Sequence, residues 1–225
     1  MVSFIQGLRS REIGRNPKDV KGHYGCVNAV EFSNSEELCA SGGDDCGVLL
    51  WRVSDLQTVE APKPVATMSE FHTSNIFALI ATDICYLFRE FLRLLPPSDL
   101  LQRDSAMYAR WNDAGNGIFA TRSHFSPVYY DLQLENGNYV NFDDPGYKNV
   151  CTVKSCSFIT QDLVMTGSDD WNIYIWKIPA ERENSAYKIL KGHRSIVNHC
   201  RYSSINKLII SSGVEKIIKV SPIFY

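Results

Sequence analysis

The sequence predicts an all-β chain folded as a repeat propeller. Three observations carry this: short strands of alternating apolar and polar residues, Gly/Asp turns that close them, and polar residues that recur at fixed spacing. From His23 it is eighteen residues to Ser41, four more to Asp45 and six more to Trp51. From His193 it is again eighteen to Ser211 and four more to Glu215, while Thr166, Asp170 and Trp176 repeat the intervals of four and six. Three registers held in phase mark a repeat. A Gly-His near the start of a unit of roughly 40–45 residues and a Trp near its end is the pattern of a WD-type β-propeller blade.

The first unit runs from Gly22 to Val53. Val27 to Phe32, Leu38 to Ser41 and Val48 to Trp51 read as strands parted by Ser-Asn-Ser and Gly-Gly-Asp-Asp turns, and Lys63 to Met68 can add a fourth. A second copy spans Ser155 to Ile178, with Tyr187 to Leu190 as its outer strand, and a third begins at Gly192. Ser105 to Leu132 is a weaker copy, with the strand-like runs AMYARW, GIFATR and VYYDL but no turn signature. One stretch breaks the pattern. Ile80 to Leu95 carries apolar residues at 80, 84, 87, 88, 91, 92 and 95, with Thr82 or Asp83 as a possible N-cap and Pro96-Pro97 as a stop. This period predicts a helix covering a strand edge or an apolar face. It is too short for a membrane span and carries Asp83, Arg89, Glu90 and Arg93.

The expected organisation is therefore a leader with a possible short helix over 1–21, a first blade and the start of a second over 22–79, a helical insert over 80–104, and further blades over 105–145, 146–191 and 192–225. That is an incomplete propeller with about four to five blades' worth of sequence at ~40 residues each. The missing repeats would fall between Phe77 and Ser105, through either a short isoform or an incomplete gene model. The last repeat reaches Lys219-Val220-Ser221 without its tryptophan. A ring so shortened is expected not to close in the usual way and to leave two apolar faces in water, making the chain poorly soluble or oligomeric.

His, Ser or Thr, Asp and Trp together invite comparison with a catalytic triad. The recurrence argues otherwise, because a blade uses such a set as one buried bond chain from indole to hydroxyl to imidazole to carboxylate. We expect His23, Ser41, Asp45 and Trp51 to form one such network. Thr166, Asp170 and Trp176 should form a partial second, with Lys148 near the place of the absent histidine, and His193 with Ser211 belongs to a third. On this reading Asp170→Ala should cost more stability than Asp169→Ala. No G-x-S-x-G elbow or H-E-x-x-H helix accompanies the set, no helix follows Gly42-Gly43 to cradle phosphate, and the acidic neighbours of Cys46 would raise its pKa.

With a net charge of −2, the chain offers no electrostatic reason to favour nucleic acid or an anionic membrane as a partner. The seven cysteines are odd in number and lack a C-x-x-C pair, which argues against a disulfide framework and a zinc knuckle. No signal-peptide core opens the sequence. The expectation is an intracellular protein of nucleus or cytoplasm, without catalytic residues, metal or cofactor.

The stretches GHYGCVNAVEFSN, SGGDDCGVLLW, TSNIF, TVKSCSF, GSDDWNIYIWKIPA and KGHRSIVN with SSGVEKIIK resemble the WD-repeat substrate receptors of cullin-4 RING ubiquitin ligases, the damaged-DNA-binding-protein-1 and cullin-4 associated factors. The resemblance covers Gly22 to Asn75 and roughly Ser105 to Val220. It implies a seven-bladed propeller that docks on the cullin-4 adaptor, damaged-DNA-binding protein 1, and presents a protein substrate for ubiquitination. The family's docking signature, Trp-Asp-x-Arg at a blade end, is replaced here by Trp51-Arg52-Val53-Ser54 and Trp176-Lys177-Ile178-Pro179. The family's second contact, a helix ahead of the propeller, would fall on Val2 to Arg9, where Phe4, Ile5 and Leu8 share one helical face. The alternative is a general WD-repeat scaffold or a reader of peptides or histone tails.

Overall fold

In a computed structural model, residues 17–33, 35–68, 106–131, 133, 139–178 and 185–222 are described. They form four antiparallel four-stranded sheets, each a blade. Blade 1 is β2 (Val27–Phe32), β3 (Leu38–Gly43), β4 (Val48–Arg52) and β5 (Ala66–Met68). Blade 2 is β6 (Ala106–Trp111), β7 (Gly117–Arg122), β8 (Phe125–Asp131) and β9 (Tyr139–Asn141). Blade 3 is β10 (Cys156–Thr160), β11 (Leu163–Gly167), β12 (Ile173–Lys177) and β13 (Lys188–Leu190). Blade 4 is β14 (Val197–Ser203), β15 (Leu208–Gly213) and β16 (Ile217–Pro222), completed by β1 (Lys18–Lys21). The fold is an all-β WD propeller.

The pairing of β1 with β16 corrects two expectations. Lys18 stands opposite Val220 and Lys21 opposite Ile217, so residues assigned to the leader are a strand, and the two ends of the chain are hydrogen-bonded together. The lost tryptophan does not prevent this. Register pairs Ile209 with Ser221 as it pairs Cys39 with Trp51, so Ser221 holds the tryptophan's place. The buried Lys219 nearby makes an ion pair with Asp19 of β1.

Apolar clusters join the blades in the order 2–3–4–1. Phe119, Tyr129 and Phe142 pack on Phe158, Tyr174 and Trp176. Met165, Ile173 and Ile175 pack on Val197, Cys200 and Ile209, and Leu208, Ile210 and Val220 pack on Val30, Phe32 and Trp51. A fourth cluster, Ile118, Ala120, Val128 and Tyr130 with Ala109, lies on the other face of blade 2. These side chains are buried.

Glycine ends the second strand of blades 3 and 4, β11 and β15, for a packing reason. A Cβ at Gly167 would collide with the Val197 carbonyl, and one at Gly213 with the Ile196 carbonyl, where a strand-to-strand loop meets the turn. A short helix, α1 (Val53–Thr58), not expected from the sequence, follows β4 and buries Val53 and Leu56. The proposed helix over Ile80 to Leu95 lies outside the described residues.

Candidate functional site

In blade 1 the recurring polar residues meet as one chain. The Trp51 indole donates to Ser41 Oγ at 2.9 Å, Ser41 Oγ lies 2.8 Å from His23 Nε2, and His23 Nδ1 lies 3.0 Å from Asp45. With Asp45 ionised, the Nδ1 proton faces the carboxylate and Nε2 accepts from Ser41. Ser41 has 0% of its surface exposed, so its hydroxyl is a bridge between two strands, out of reach of any substrate. Blade 4 repeats the arrangement without the indole: His193 Nε2 lies 2.7 Å from Ser211 Oγ, and Nδ1 lies 2.5 Å from Glu215.

Blade 3 departs from the expected partial network. Thr166 donates to the Ser155 carbonyl at 3.0 Å, while Asp170 accepts from Tyr174 Oη and Asn172 Nδ2, both at 2.7 Å. The buried Trp176 indole N–H finds no acceptor among the described residues. Thr166, Asp170 and Trp176 are thus not joined. The reason is the missing histidine: Tyr147 stacks edge-on against Trp176 with ring centroids 5.6 Å apart, and Lys148 contributes only its backbone to the turn. The carboxylate that pairs inside this blade is Asp169. Its Oδ1 lies 2.6 Å from the fully buried Lys154 Nζ, and its Oδ2 accepts from Val150 N at 2.6 Å and Cys151 N at 3.0 Å. The expected ranking of the two aspartates is therefore reversed.

Burial by itself would raise the pKa values of Asp45, Asp169 and Glu215. The bonds from His23, Lys154 and His193, with backbone N–H donors, outweigh burial and hold all three carboxyls below their ordinary values. A depressed carboxyl stabilises the fold above its unfolded pKa, and that stability is lost as pH falls through the folded value. Melting temperature is therefore expected to hold on the neutral side of the ordinary values of 3.8 and 4.5 and to fall steeply below them. Asp45→Asn should flatten that fall in a pH series of thermal melts.

A second site was missed in the sequence. The innermost strands β2, β6, β10 and β14 converge on the buried Arg201. Its Nε donates to Glu31 at 2.7 Å, Nη2 to Tyr108 Oη at 2.6 Å, and Nη1 to Ser155 Oγ at 3.0 Å and the Cys156 carbonyl at 3.2 Å. Arg110 stands 3.9 Å from the same Glu31 carboxylate. One guanidinium thereby ties four blades. The signal was available: Glu31 lies eight residues after His23 and Arg201 eight after His193, opposite charges at one repeat position. Among the described residues no cluster of His, Cys, Asp and Glu fits a metal, and no helix is long and apolar enough to cross a membrane. Phe4, Ile5 and Leu8 lie outside the described residues.

Repeated strands, the Trp–Ser–His–Asp chain and the strand shared between the chain ends define a WD-repeat propeller fold. The family model for the WD domain, G-beta repeat, matches residues 14–52 and 184–220. The chain is similar to DDB1- and CUL4-associated factor 5 of Mus musculus, with 31% identity over 316 residues covering 90% of this chain and 33% of that protein, and the Homo sapiens protein matches to the same extent. This is the family that the sequence stretches resemble. WD and tetratricopeptide repeats protein 1 of Homo sapiens is 34% identical over 61 residues, 27% of this chain and 8% of that protein. The chain spans about a third of the length of the first two relatives. Ninety per cent of 225 residues is about 203, so the 316-position alignment leaves about 113 positions without a residue here, two to three repeats at ~40–45 residues each.

Proposed function

We propose that the chain is a non-catalytic WD-repeat adaptor that serves, in nucleus or cytoplasm, as a substrate receptor of a cullin-4 ubiquitin ligase. The observation that carries this reading is the likeness to DDB1- and CUL4-associated factor 5 across nine-tenths of the chain, well beyond the generic repeat residues. Burial of Ser41 supports a non-catalytic role, since the hydroxyl of the His–Ser–Asp constellation of blade 1 is closed to solvent. Neither blade end carries Trp-Asp-x-Arg, so adaptor docking falls to the N-terminal face of Phe4, Ile5 and Leu8.

The test is a pull-down with purified damaged-DNA-binding protein 1. The full chain is expected to retain the adaptor, and the triple variant Phe4→Ala, Ile5→Ala, Leu8→Ala to bind at least about tenfold more weakly, as loss of clustered apolar anchors requires. Failure of the unaltered chain to bind an adaptor preparation that binds DDB1- and CUL4-associated factor 5 overturns the reading.

A further inference from the structure

We propose that the inner-strand cluster around Arg201 binds a hydrogen-phosphate ion through Arg110, Tyr108 and His199, tying blade 2 to blade 4. The proposal does not rest on the ligase reading. Arg201 has all its nitrogens engaged, on Glu31, Ser155, the Cys156 carbonyl and Tyr108. Three of its neighbours keep unused bonding capacity. Arg110 stands two residues after Tyr108 on β6, and so on the same face of the strand. Its one ion pair among the described residues is with Glu31 Oε2 at 3.9 Å, too far for a hydrogen bond, and that oxygen already accepts from Arg201 Nε. With 39% of the Arg110 side chain exposed, its guanidinium has donors free and within reach of solvent.

Tyr108 supplies a second donor. Its Oη accepts from Arg201, which leaves the phenol proton to point elsewhere. The buried His199 on β14 supplies an acceptor, its ring edge-on to Tyr108 with centroids 6.0 Å apart. Its Nδ1 lies 3.2 Å from the Val30 carbonyl, closer than the 3.5 Å to Val30 N, and that contact assigns the proton to Nδ1. Nε2 is then a lone pair with no donor among the described residues. Burial, and then the charges of Arg201 and Arg110, hold the imidazole pKa well below its ordinary value, so the ring stays neutral.

Charge and proton count select the ion. The four inner strands carry two arginines and a single acid, Glu31, which leaves one net positive charge. Carboxylates near the strand ends are engaged elsewhere, Asp44 with Asn28, Asp169 with Lys154 and Glu36 with Ser203 and Ile205 N. Glu37, Asp113 and Asp162, in the turns that follow β2, β6 and β10, are exposed. The cluster therefore favours an anion, and a free imidazole lone pair beside two donors requires that the anion carry a proton of its own. Hydrogen phosphate keeps an O–H at neutral pH, whereas sulfate has none and a phosphomonoester is mostly the bare dianion. The ion's O–H donates to His199 Nε2, and its other oxygens accept from Arg110 and Tyr108.

The test is equilibrium dialysis of the full chain against radiolabelled orthophosphate at neutral pH and fixed ionic strength. A single saturable ion per chain is expected, with a Kd of about 1 mM or tighter. An excess of about tenfold of sulfate or of phosphoserine should leave most of it bound, because a site built around a ligand O–H rejects analogues that lack it. Arg110→Gln, at a half-exposed position that keeps the cooperative melt, should weaken binding by about tenfold or more. Arg194→Gln, at an exposed arginine outside the cluster, should leave binding unchanged. His199→Leu should remove the preference, so that sulfate displaces what phosphate still binds. Absence of saturable binding, displacement by sulfate at equal concentration, unaltered binding by Arg110→Gln, or loss of binding with Arg194→Gln overturns the proposal. So does a well-folded His199→Leu chain that still prefers phosphate. If that variant does not melt cooperatively, sulfate competition on the unaltered chain decides the role of the imidazole.

Discussion

Arg201→Ala is expected to destabilise the chain by about 3–5 kcal/mol, among the largest effects of any single substitution. The guanidinium is buried and holds Glu31, Tyr108, Ser155 and the Cys156 carbonyl, one partner or more from each of the other three blades. Truncation leaves the Glu31 carboxylate without its closest cation and two inner strands without a tie. Urea unfolding measures it, with the midpoint and the slope reported separately. Glu31→Leu combined with Arg201→Met removes both charges and should recover much of the loss, since an apolar pair avoids stranding an ion. If Arg201→Ala costs under about 1 kcal/mol, the four inner strands do not converge as described.

The second large effect is Asp169→Ala, expected at about 3–5 kcal/mol because it strands the fully buried ammonium of Lys154. Two backbone donors of the Val150–Cys151 loop lose their acceptor as well. Asp170→Ala should cost only about 1 kcal/mol, for its carboxylate serves Asn172 and Tyr174 at a partly exposed turn. Lys154→Met alongside Asp169→Ala should restore most of the stability. Chemical denaturation of the three variants decides it, and an Asp170→Ala loss exceeding that of Asp169→Ala would refute the assignment.

How much of this was legible beforehand differs from element to element. The strands of blade 1 from Val27 to Trp51 were readable to within two residues, because Val, Phe, Leu and Trp alternate with small and polar residues between Gly/Asp turns. The bond chain from Trp51 to Asp45 was readable too, since its members stand at fixed offsets along adjacent strands whose register the turns set. β1 was not: Lys-Asp-Val-Lys has no apolar run, and its strand conformation comes from β16, about 200 residues away in sequence. Helix α1 was also hidden, since six residues are too few for a periodic signal and its helicity depends on burying Val53 and Leu56.

Sequence by itself thus determined the repeat, the local strand pairings and the likeness to a receptor family, because spacing and turn chemistry are local properties. Only the tertiary structure decided which aspartate of the Asp169-Asp170 pair faces inward, which buried cation each carboxylate meets, and how Arg201 comes to serve four blades. Those are contacts between distant segments. Their energy depends on burial and on the distance between opposite charges, and neither is encoded in the spacing of residues along the chain.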